Sequence, residues 1–328
     1  LTPTMAEIHY SIPKTTEEYV SNIVEACQYI EATFGGKADL AVVLGSGLNN
    51  FTDHLSDKKE VSYHSIPHFP PTTVKGHQGK LVYGHINGKY MICLAGRSHS
   101  YEGYQMYELS FVSRVLALLG VKLLIATNAS GGAQHGMYPG CLMVIQDHIN
   151  FYNRNPLADT TPCGAFGERY PDCSHIYSER VDKIARECAQ KLNIDLFHGI
   201  YGATSGPTYE TPTEVQSFVK LGASCFGMST IPETMTMSAL GIEVFAISLV
   251  TNLAAGLTNE VLTHAAVTSV AQDSAPAFIR FMKQFVQDVN VLPQVTKPTF
   301  HVTKPTPLPQ PQVRPATSQE IQEAVKAV

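Results

Sequence analysis

The chain alternates between two hydrophobic periods, and that alternation predicts an α/β fold. From Thr15-Thr16-Glu17-Glu18 onward, Val20, Ile23, Val24 and Cys27 recur at helical spacing as far as Phe34. Residues 40–44 form a short unbroken apolar run, the signature of a strand covered on both faces, and the run stops at Gly45-Ser46-Gly47. Leu81-Val82-Tyr83 and the run from Tyr90 to Leu94 flank Asn87-Gly88 and predict a hairpin. A helix is expected over 106–119, stopped by Gly120, with a strand over 123–127 directly after it and another around Val144-Ile145. The pattern then predicts helix 178–192, strand 197–203, helices 213–221 and 233–240, strand 244–250 and a long helix over 259–289. Helices and strands so interleaved, with one hairpin, imply a single domain with a central mixed β-sheet flanked by helices.

Two stretches fall outside this rhythm. Residues 150–174 are irregular and polar, too long for a simple connection, and loops of that length in compact domains are usually functional. After Leu292 seven prolines fall between Pro293 and Pro315, which predicts an extended segment. No two of them are three apart, so a PxxP ligand is disfavoured. Thr317 to Glu320 is a capping box, followed by Ile321, Ala324, Val325 and Val328 at helical spacing. A helix over 318–327 is too short to stand alone and is expected to dock on the body or on a neighbouring subunit. The chain thus divides into an N-terminal extension (1–14), the α/β domain (15–290) and a Pro-rich tail with a short C-terminal helix (291–328).

Charge changes the picture more than hydrophobicity does. Hydrophobic residues make up an ordinary 44%, but only 16% are charged, with 23 Lys+Arg against 28 Asp+Glu and a net charge of −5. About a quarter is usual for a soluble domain. The slightly acidic balance argues against a nucleic-acid partner, and the richest apolar stretch, 111–126, is interrupted by Arg114 and Lys122, so no membrane span is expected. Interface cores are depleted in charge, so self-association is one explanation of the shortage; a large domain with a polar, uncharged surface is the other. Seven scattered cysteines with no CxxC pair indicate neither a zinc ribbon nor a thioredoxin-type site, and no secretory signal is evident, so a reducing, cytoplasmic location is expected.

The residues that carry chemistry cluster after the predicted strands, where open α/β sheets bind ligands. Gly45-Ser46-Gly47-Leu48 offers amides to an anion. Arg97, His99 and Tyr101 alternate, so an extended chain would present all three on one face, a poor core and a good oxyanion site. Glu102 lies beyond that strand and is placed to hold His99, while His77, between glycines at 76 and 79, reads on its own as a loop histidine. Thr127 to Gly132, Gly206 to Thr211, Gly227 to Thr230 and Thr251-Asn252 end further strands with polar turns. Ser229 or Thr230 could serve simply as a helix cap.

Together these motifs resemble the trimeric, 6-oxopurine-preferring purine nucleoside phosphorylases. The resemblance rests on Gly-Ser-Gly-Leu at 45–48, Gly-His at 76–77, Gly-Arg-x-His-x-Tyr-Glu-Gly-Tyr at 96–104 and Thr-Asn-Ala-x-Gly-Gly at 127–132. It continues with Phe-Gly-x-Arg at 166–169, Gly-Pro-x-Tyr-Glu-Thr at 206–211, Gly-Met-Ser-Thr-x-Pro-Glu at 227–233 and Thr-Asn at 251–252, in family order across roughly residues 15–290. It implies a nucleoside phosphorylase-like fold and phosphorolysis of inosine, guanosine and their 2′-deoxy forms to a free purine and (deoxy)ribose 1-phosphate, as in purine salvage. Inorganic phosphate is then a co-substrate, and no cofactor or metal is implied. It further implies that Ser46, His77, Arg97, His99, the Ala129 amide and Ser229 hold phosphate. Tyr101, Met228 and Thr258 would meet the ribose, with Phe166 supplied by the neighbouring subunit of a homotrimer, and Tyr209, Glu210, Phe226 and Asn252 would hold the base. Glu210, Asn252 and His99 are the implied catalytic groups.

The chain departs from the family pattern in places. Ser98 and Ser100 replace bulkier residues, Tyr209 stands where phenylalanine is common, and Phe226 stands where valine is usual. Aligned on Glu260-Val261-Leu262, the histidine that reaches the ribose 5′-hydroxyl is replaced by Thr258, with His264 one to two turns further on. A methylthioadenosine phosphorylase would share the fold, but it would have no use for a carboxylate that accepts from N1–H. A catalytically silent nucleoside binder is the reading from another class.

Overall fold

Strand β1 (Leu40–Leu44) is buried along its whole length because both of its faces are covered. Ala41 and Val43 join one apolar cluster, while Leu40, Val42 and Leu44 join a second on the other side. The structure is a computed structural model that describes residues 15–74, 76–158, 166–168 and 170–293. The 1–14 extension and the chain beyond 293, including the expected helix 318–327, lie outside the described residues, as do Cys163 and Arg169.

The elements follow in the expected order. Helix α1 (Thr16–Phe34) precedes β1; then come β2 (Ser56–Ser62), β3 (Lys80–Ile86), β4 (Lys89–Ala95), α2 (Met106–Leu118), β5 (Leu123–Gly132), β6 (Leu142–Asn150) and α3 (Glu179–Leu192). The chain continues with β7 (Leu196–Ala203), α4 (Pro212–Lys220), β8 (Cys225–Gly227), α5 (Ile231–Ala239), β9 (Glu243–Leu253) and α6 (His264–Asp288). Thr15 caps α1 by accepting from the Glu18 amide at 3.1 Å. The buried stripe of α1 runs through Tyr19, Ile23, Ala26, Cys27, Ile30 and Phe34, so Ile23 and Cys27 face the core as expected whereas Val20 and Val24 are only half-buried. Helix α6 starts five residues later than its pattern suggested, because the Thr263 hydroxyl accepts from the Ala266 amide at 3.2 Å and caps it there.

The described residues contain a nine-stranded mixed sheet in the order β2-β3-β4-β1-β5-β8-β7-β6-β9, with β5 and β9 also paired. β1 runs parallel to β4 and β5, and β5 runs parallel to β9, whereas the β3–β4 hairpin and β2 are antiparallel additions at one edge. Because β5 pairs with both β8 and β9, the strands β5, β8, β7, β6 and β9 close into a ring, an arrangement the hydrophobic pattern did not suggest. The register of β5 against β9 shifts between Ser130 and Gly131, and the end of β5 past that point also meets β8. One strand, β2, escaped the sequence reading because it is a lysine-bearing, largely exposed edge with no apolar alternation; β8, with only three residues, was implied by the turn that ends it.

Helices α1, α2 and α5 cover one side of the sheet, where Ile23, Val115 and Met237 pack with Val43. α3 and α6 cover the other through Val181, Cys188, Phe281 and Phe285. Among the described cysteines, 27, 93, 141, 188 and 225 are buried and Cys173 is exposed, none of them in a disulfide. No helix among the described residues is long and apolar enough to cross a membrane.

Candidate active site

A cleft opens where β1, β4, β5, β7, β8 and β9 end, and nearly all the residues singled out in the sequence line it. Ser46 follows β1, Arg97, His99 and Tyr101 follow β4, and Ala129 lies in β5. Tyr209 and Glu210 precede α4, Phe226 is in β8, Met228 and Ser229 lead into α5, and Asn252 is in β9. His77 joins them from the loop before β3. It is no mobile loop residue, for its ring is tied at both nitrogens. The Arg97 amide donates to Nδ1 at 2.9 Å, and Nε2 lies 3.0 Å from the Ser46 hydroxyl. A backbone N–H can only donate, so Nδ1 is unprotonated and the neutral ring carries its proton on Nε2, which donates to Ser46. Burial, followed by the nearby His99 and Arg97 charges, pushes the His77 pKa down to about 3 and keeps the ring neutral. Gly96 makes room for it: a Cβ there would sit 2.6 Å from the His77 Cβ, and the residue's φ of +115° already favours glycine.

Arg97 is buried beneath this pair, with both terminal nitrogens of its guanidinium hydrogen-bonded. Nη1 donates to Ser229 Oγ (2.9 Å) and Thr230 Oγ1 (3.2 Å), and Nη2 donates to the Thr127 carbonyl (2.6 Å) and more distantly to that of Val43 (3.4 Å). Nε stands 3.1 Å from the largely buried Glu233 carboxylate. The guanidinium thus joins β1, β5 and the start of α5. Thr230 occupies the N-cap position of α5 yet makes no capping bond with its side chain. Instead its hydroxyl accepts from Arg97 and from Asn128 Nδ2 (2.9 Å), and the Ile231 amide reaches back to Ser229 O at 2.9 Å. With φ +78° and ψ −48°, Thr230 is the centre of a γ-turn, a strained conformation for a β-branched residue that aims Ser229 into the cleft.

The extended run expected through Tyr101 ends at His99, since residues 100–102 form a short 3-10 turn. The turn brings Glu102 back onto His99, where Oε1 accepts from both the His99 amide (2.7 Å) and Nδ1 (3.0 Å). Oε2 accepts from the amide and hydroxyl of Thr73, at 2.7 and 2.6 Å. Burial alone would raise the Glu102 pKa, but the hydrogen bonds from His99 and Thr73 outweigh it and hold the group below its ordinary value. An ionised carboxylate only accepts, so Nδ1 of His99 carries a proton and Nε2 is left for a ligand. The Tyr101 ring stacks on that imidazole at 4.8 Å, and burial with the Glu102 charge pushes its phenol up to about 12.

At the other end of the cleft, Thr204 Oγ1 donates to Glu210 Oε1 at 2.6 Å. Asn252 Nδ2 donates to the Leu253 carbonyl and its Oδ1 accepts from Thr251 Oγ1, both at 3.0 Å, which leaves one amide N–H uncommitted. One end of the cleft is therefore rich in donors and cationic, and the other holds a carboxylate and an amide beside the Tyr209 and Phe226 rings.

One assignment does not match this chain's cleft, and another was assigned to a neighbour's cleft rather than to this one. Thr258 is exposed and does not line it; His264, in the first turn of α6, lines the cleft together with Leu262, because the Thr263 cap brings the helix start to the rim. Phe166 is also absent from the lining: its ring packs edge-on to Tyr19 at 5.7 Å, with the Arg114 guanidinium 4.3 Å from its centre. Sequence reasoning gave no role to Thr204, only that of a helix cap to Thr230, and none to Glu233. The last two lie within the 227–233 motif, which was a usable signal, whereas Thr204 lies outside every motif and carried none.

Residues 39–287 match the family model described as the phosphorylase superfamily. The purine nucleoside phosphorylase 1 of Geobacillus stearothermophilus is 39% identical over 267 residues, covering 81% of this chain and 97% of that one. Isoform 2 of the Schistosoma mansoni purine nucleoside phosphorylase, solved with cytosine and ribose-1-phosphate, superimposes with a TM-score of 0.79 at 33% identity, over 85% of this chain and 99% of its own. A Schistosoma mansoni purine nucleoside phosphorylase in complex with adenosine gives 0.78 at 30%, over 83% and 98%. Sequence and fold agree across the whole domain that builds the cleft, and the chain belongs to the purine nucleoside phosphorylases, pentosyltransferases of the phosphorylase superfamily.

Proposed function

We propose that this chain phosphorolyses 6-oxopurine nucleosides, inosine and guanosine and their 2′-deoxy forms. A purine pocket alone does not decide the preference, since a Schistosoma relative is seen with adenosine. The observation that carries it is the Glu210 carboxylate at the base end of the cleft. An ionised carboxylate can only accept, which suits the N1–H of a 6-oxopurine and opposes the N1 lone pair of a 6-aminopurine.

In this reading phosphate sits among Ser46, His77, Arg97, His99, the Ala129 amide and Ser229. Arg97 contributes a fixed positive charge, His99 Nε2 a group held by Glu102, and neutral His77 orders the Ser46 hydroxyl. The nucleoside lies with its ribose against Tyr101 and Met228, with His264 at the rim in place of Thr258, and its base between Tyr209, Phe226, Glu210 and Asn252. A phosphate oxygen bonds to C1′ as the C1′–N9 bond breaks, and the electron pair of that bond enters the purine. The uncommitted Asn252 N–H meets the charge gathering at N7, and Glu210 secures N1–H. The proton of hydrogen phosphate ends on the departing base. Prior alignment of nucleophile and sugar supplies much of the barrier reduction. Phosphate is itself the nucleophile, so the reaction as proposed needs no metal or organic cofactor.

We also propose a homotrimer in which Phe166 closes the neighbour's ribose site. Its support is the position of Phe166 outside its own cleft, on the firm seat of Tyr19 and Arg114. The deciding assay is release of hypoxanthine from inosine, expected only when phosphate is present. Adenosine should react at least about a hundredfold more slowly, a ratio within reach of mismatched buried hydrogen bonds. Equal rates on adenosine would overturn the oxopurine preference.

A further inference from the structure

Thr204 stands directly after β7, and its amide donates to Gly227 O at 2.9 Å. That bond extends the parallel register in which Gly202 faces Phe226 and Ala203 faces Gly227, so Thr204 belongs to the sheet rather than to the turn that follows. Glu210 lies at the far side of that turn, one residue before Thr211, the N-cap of α4. The Thr204 hydroxyl spans the turn to Glu210 Oε1 at 2.6 Å, the length of a charge-assisted bond. Among the described residues no other donor meets either carboxyl oxygen. The one protein contact that orients this carboxylate therefore comes from the same strand pair that presents Phe226 to the cleft.

A glutamate side chain has three rotatable bonds and loses orientational freedom only at a cost. With Oε1 pinned to the sheet, the carboxylate loses much of that freedom, while Oε2 keeps no protein donor among the described residues and remains available to a ligand. We infer that Thr204 is the positioning residue for Glu210, and through it a determinant of discrimination between purines that carry a donor at N1 and those that carry an acceptor. The inference rests on the base-binding role proposed for Glu210. Thr204 does not touch the reacting atoms; it sets where the recognising oxygen lies.

The full-length chain carrying Thr204→Val, which keeps the side-chain shape and removes the donor, tests this alongside Thr204→Ser. Thr204→Val is expected to raise KM for inosine about tenfold or more, the factor a hydrogen bond to a charged group supplies. KM for phosphate and the thermal midpoint should stay unchanged, and the inosine-to-adenosine ratio of kcat/KM should fall by a similar factor. Thr204→Ser should restore the wild-type values. If valine prevents folding, Thr204→Ala serves in its place with the same expectation. An unchanged inosine KM and ratio, a parallel rise in phosphate KM, or no rescue by serine would each overturn the inference. A wild-type enzyme that did not prefer inosine would overturn the oxopurine reading instead, and the split between inosine and phosphate KM would still decide the role of Thr204.

Discussion

Nε2 of His77 donates to Ser46 Oγ across 3.0 Å while Nδ1 of the same ring accepts the Arg97 amide, so one neutral imidazole couples the turn after β1 to the turn after β4. His77→Ala leaves a buried amide and a hydroxyl unpaired and is expected to raise KM for phosphate about tenfold, from a cost of about 1–2 kcal/mol. Steady-state kinetics with phosphate as the varied substrate checks this; an unchanged KM would remove His77 from the phosphate site.

Acid lability follows from the same ring. The unfolded chain protonates His77 near its ordinary value of 6.5, whereas the folded chain resists protonation down to about 3. The unfolded state thus binds more protons in between, and stability falls as pH drops through that window. Glu102 adds to the effect at its lower end: its folded pKa lies below 4.5, so its contribution is present above that value and disappears as the carboxylate protonates. Urea midpoints measured from pH 7 to pH 4 should decline steadily, and the decline should be shallower in His77→Gln.

Glu233 is the partner of Arg97 Nε at 3.1 Å, with both side chains nearly enclosed. Removing one member of a buried ion pair strands the other charge, at a cost of about 3–5 kcal/mol. Glu233→Ala should lose stability of that order in denaturant unfolding and should weaken phosphate more than nucleoside, because Arg97 loses one of the contacts that aim it. Unfolding at the wild-type midpoint would contradict the role given to this pair.

Trimer formation with shared sites makes a sharper demand than a mass measurement. Phe166→Ala and Glu210→Ala should each be strongly impaired alone. In mixed trimers, a Phe166→Ala subunit supplies an intact Glu210 site, and its neighbour supplies an intact Phe166. Co-refolded mixtures should therefore regain activity that neither variant shows, and sedimentation should give three copies per particle. Absence of complementation in confirmed mixed trimers would place Phe166 outside the neighbour's site.

Much of the fold was legible because it depends on local periodicity. The run Leu40 to Leu44 is apolar at every position because both faces are covered, and Thr15, Ser178 and Thr211 cap their helices with their own side chains. The strand-end motifs were legible too, and His99 with Glu102 is held as their spacing suggested. β2 was not legible: an exposed edge strand has no apolar alternation to betray it. Nor was the start of α6, where the cap of Thr263 overrode a pattern that read on from residue 259.

By itself, the sequence determined most of the helices and strands, and which polar segments lie at or just past the strands' C-terminal ends, since period and capping are properties of neighbours along the chain. Only the tertiary structure decided that β5 closes a ring through β8 and β9, that His77 is clamped rather than loose, that His264 and not Thr258 lines the cleft, and that Thr204 holds Glu210. Each of these depends on groups brought together by the register of paired strands and the packing of caps and turns. A hydrogen bond 2.6 Å long across a turn leaves no mark on hydrophobic periodicity.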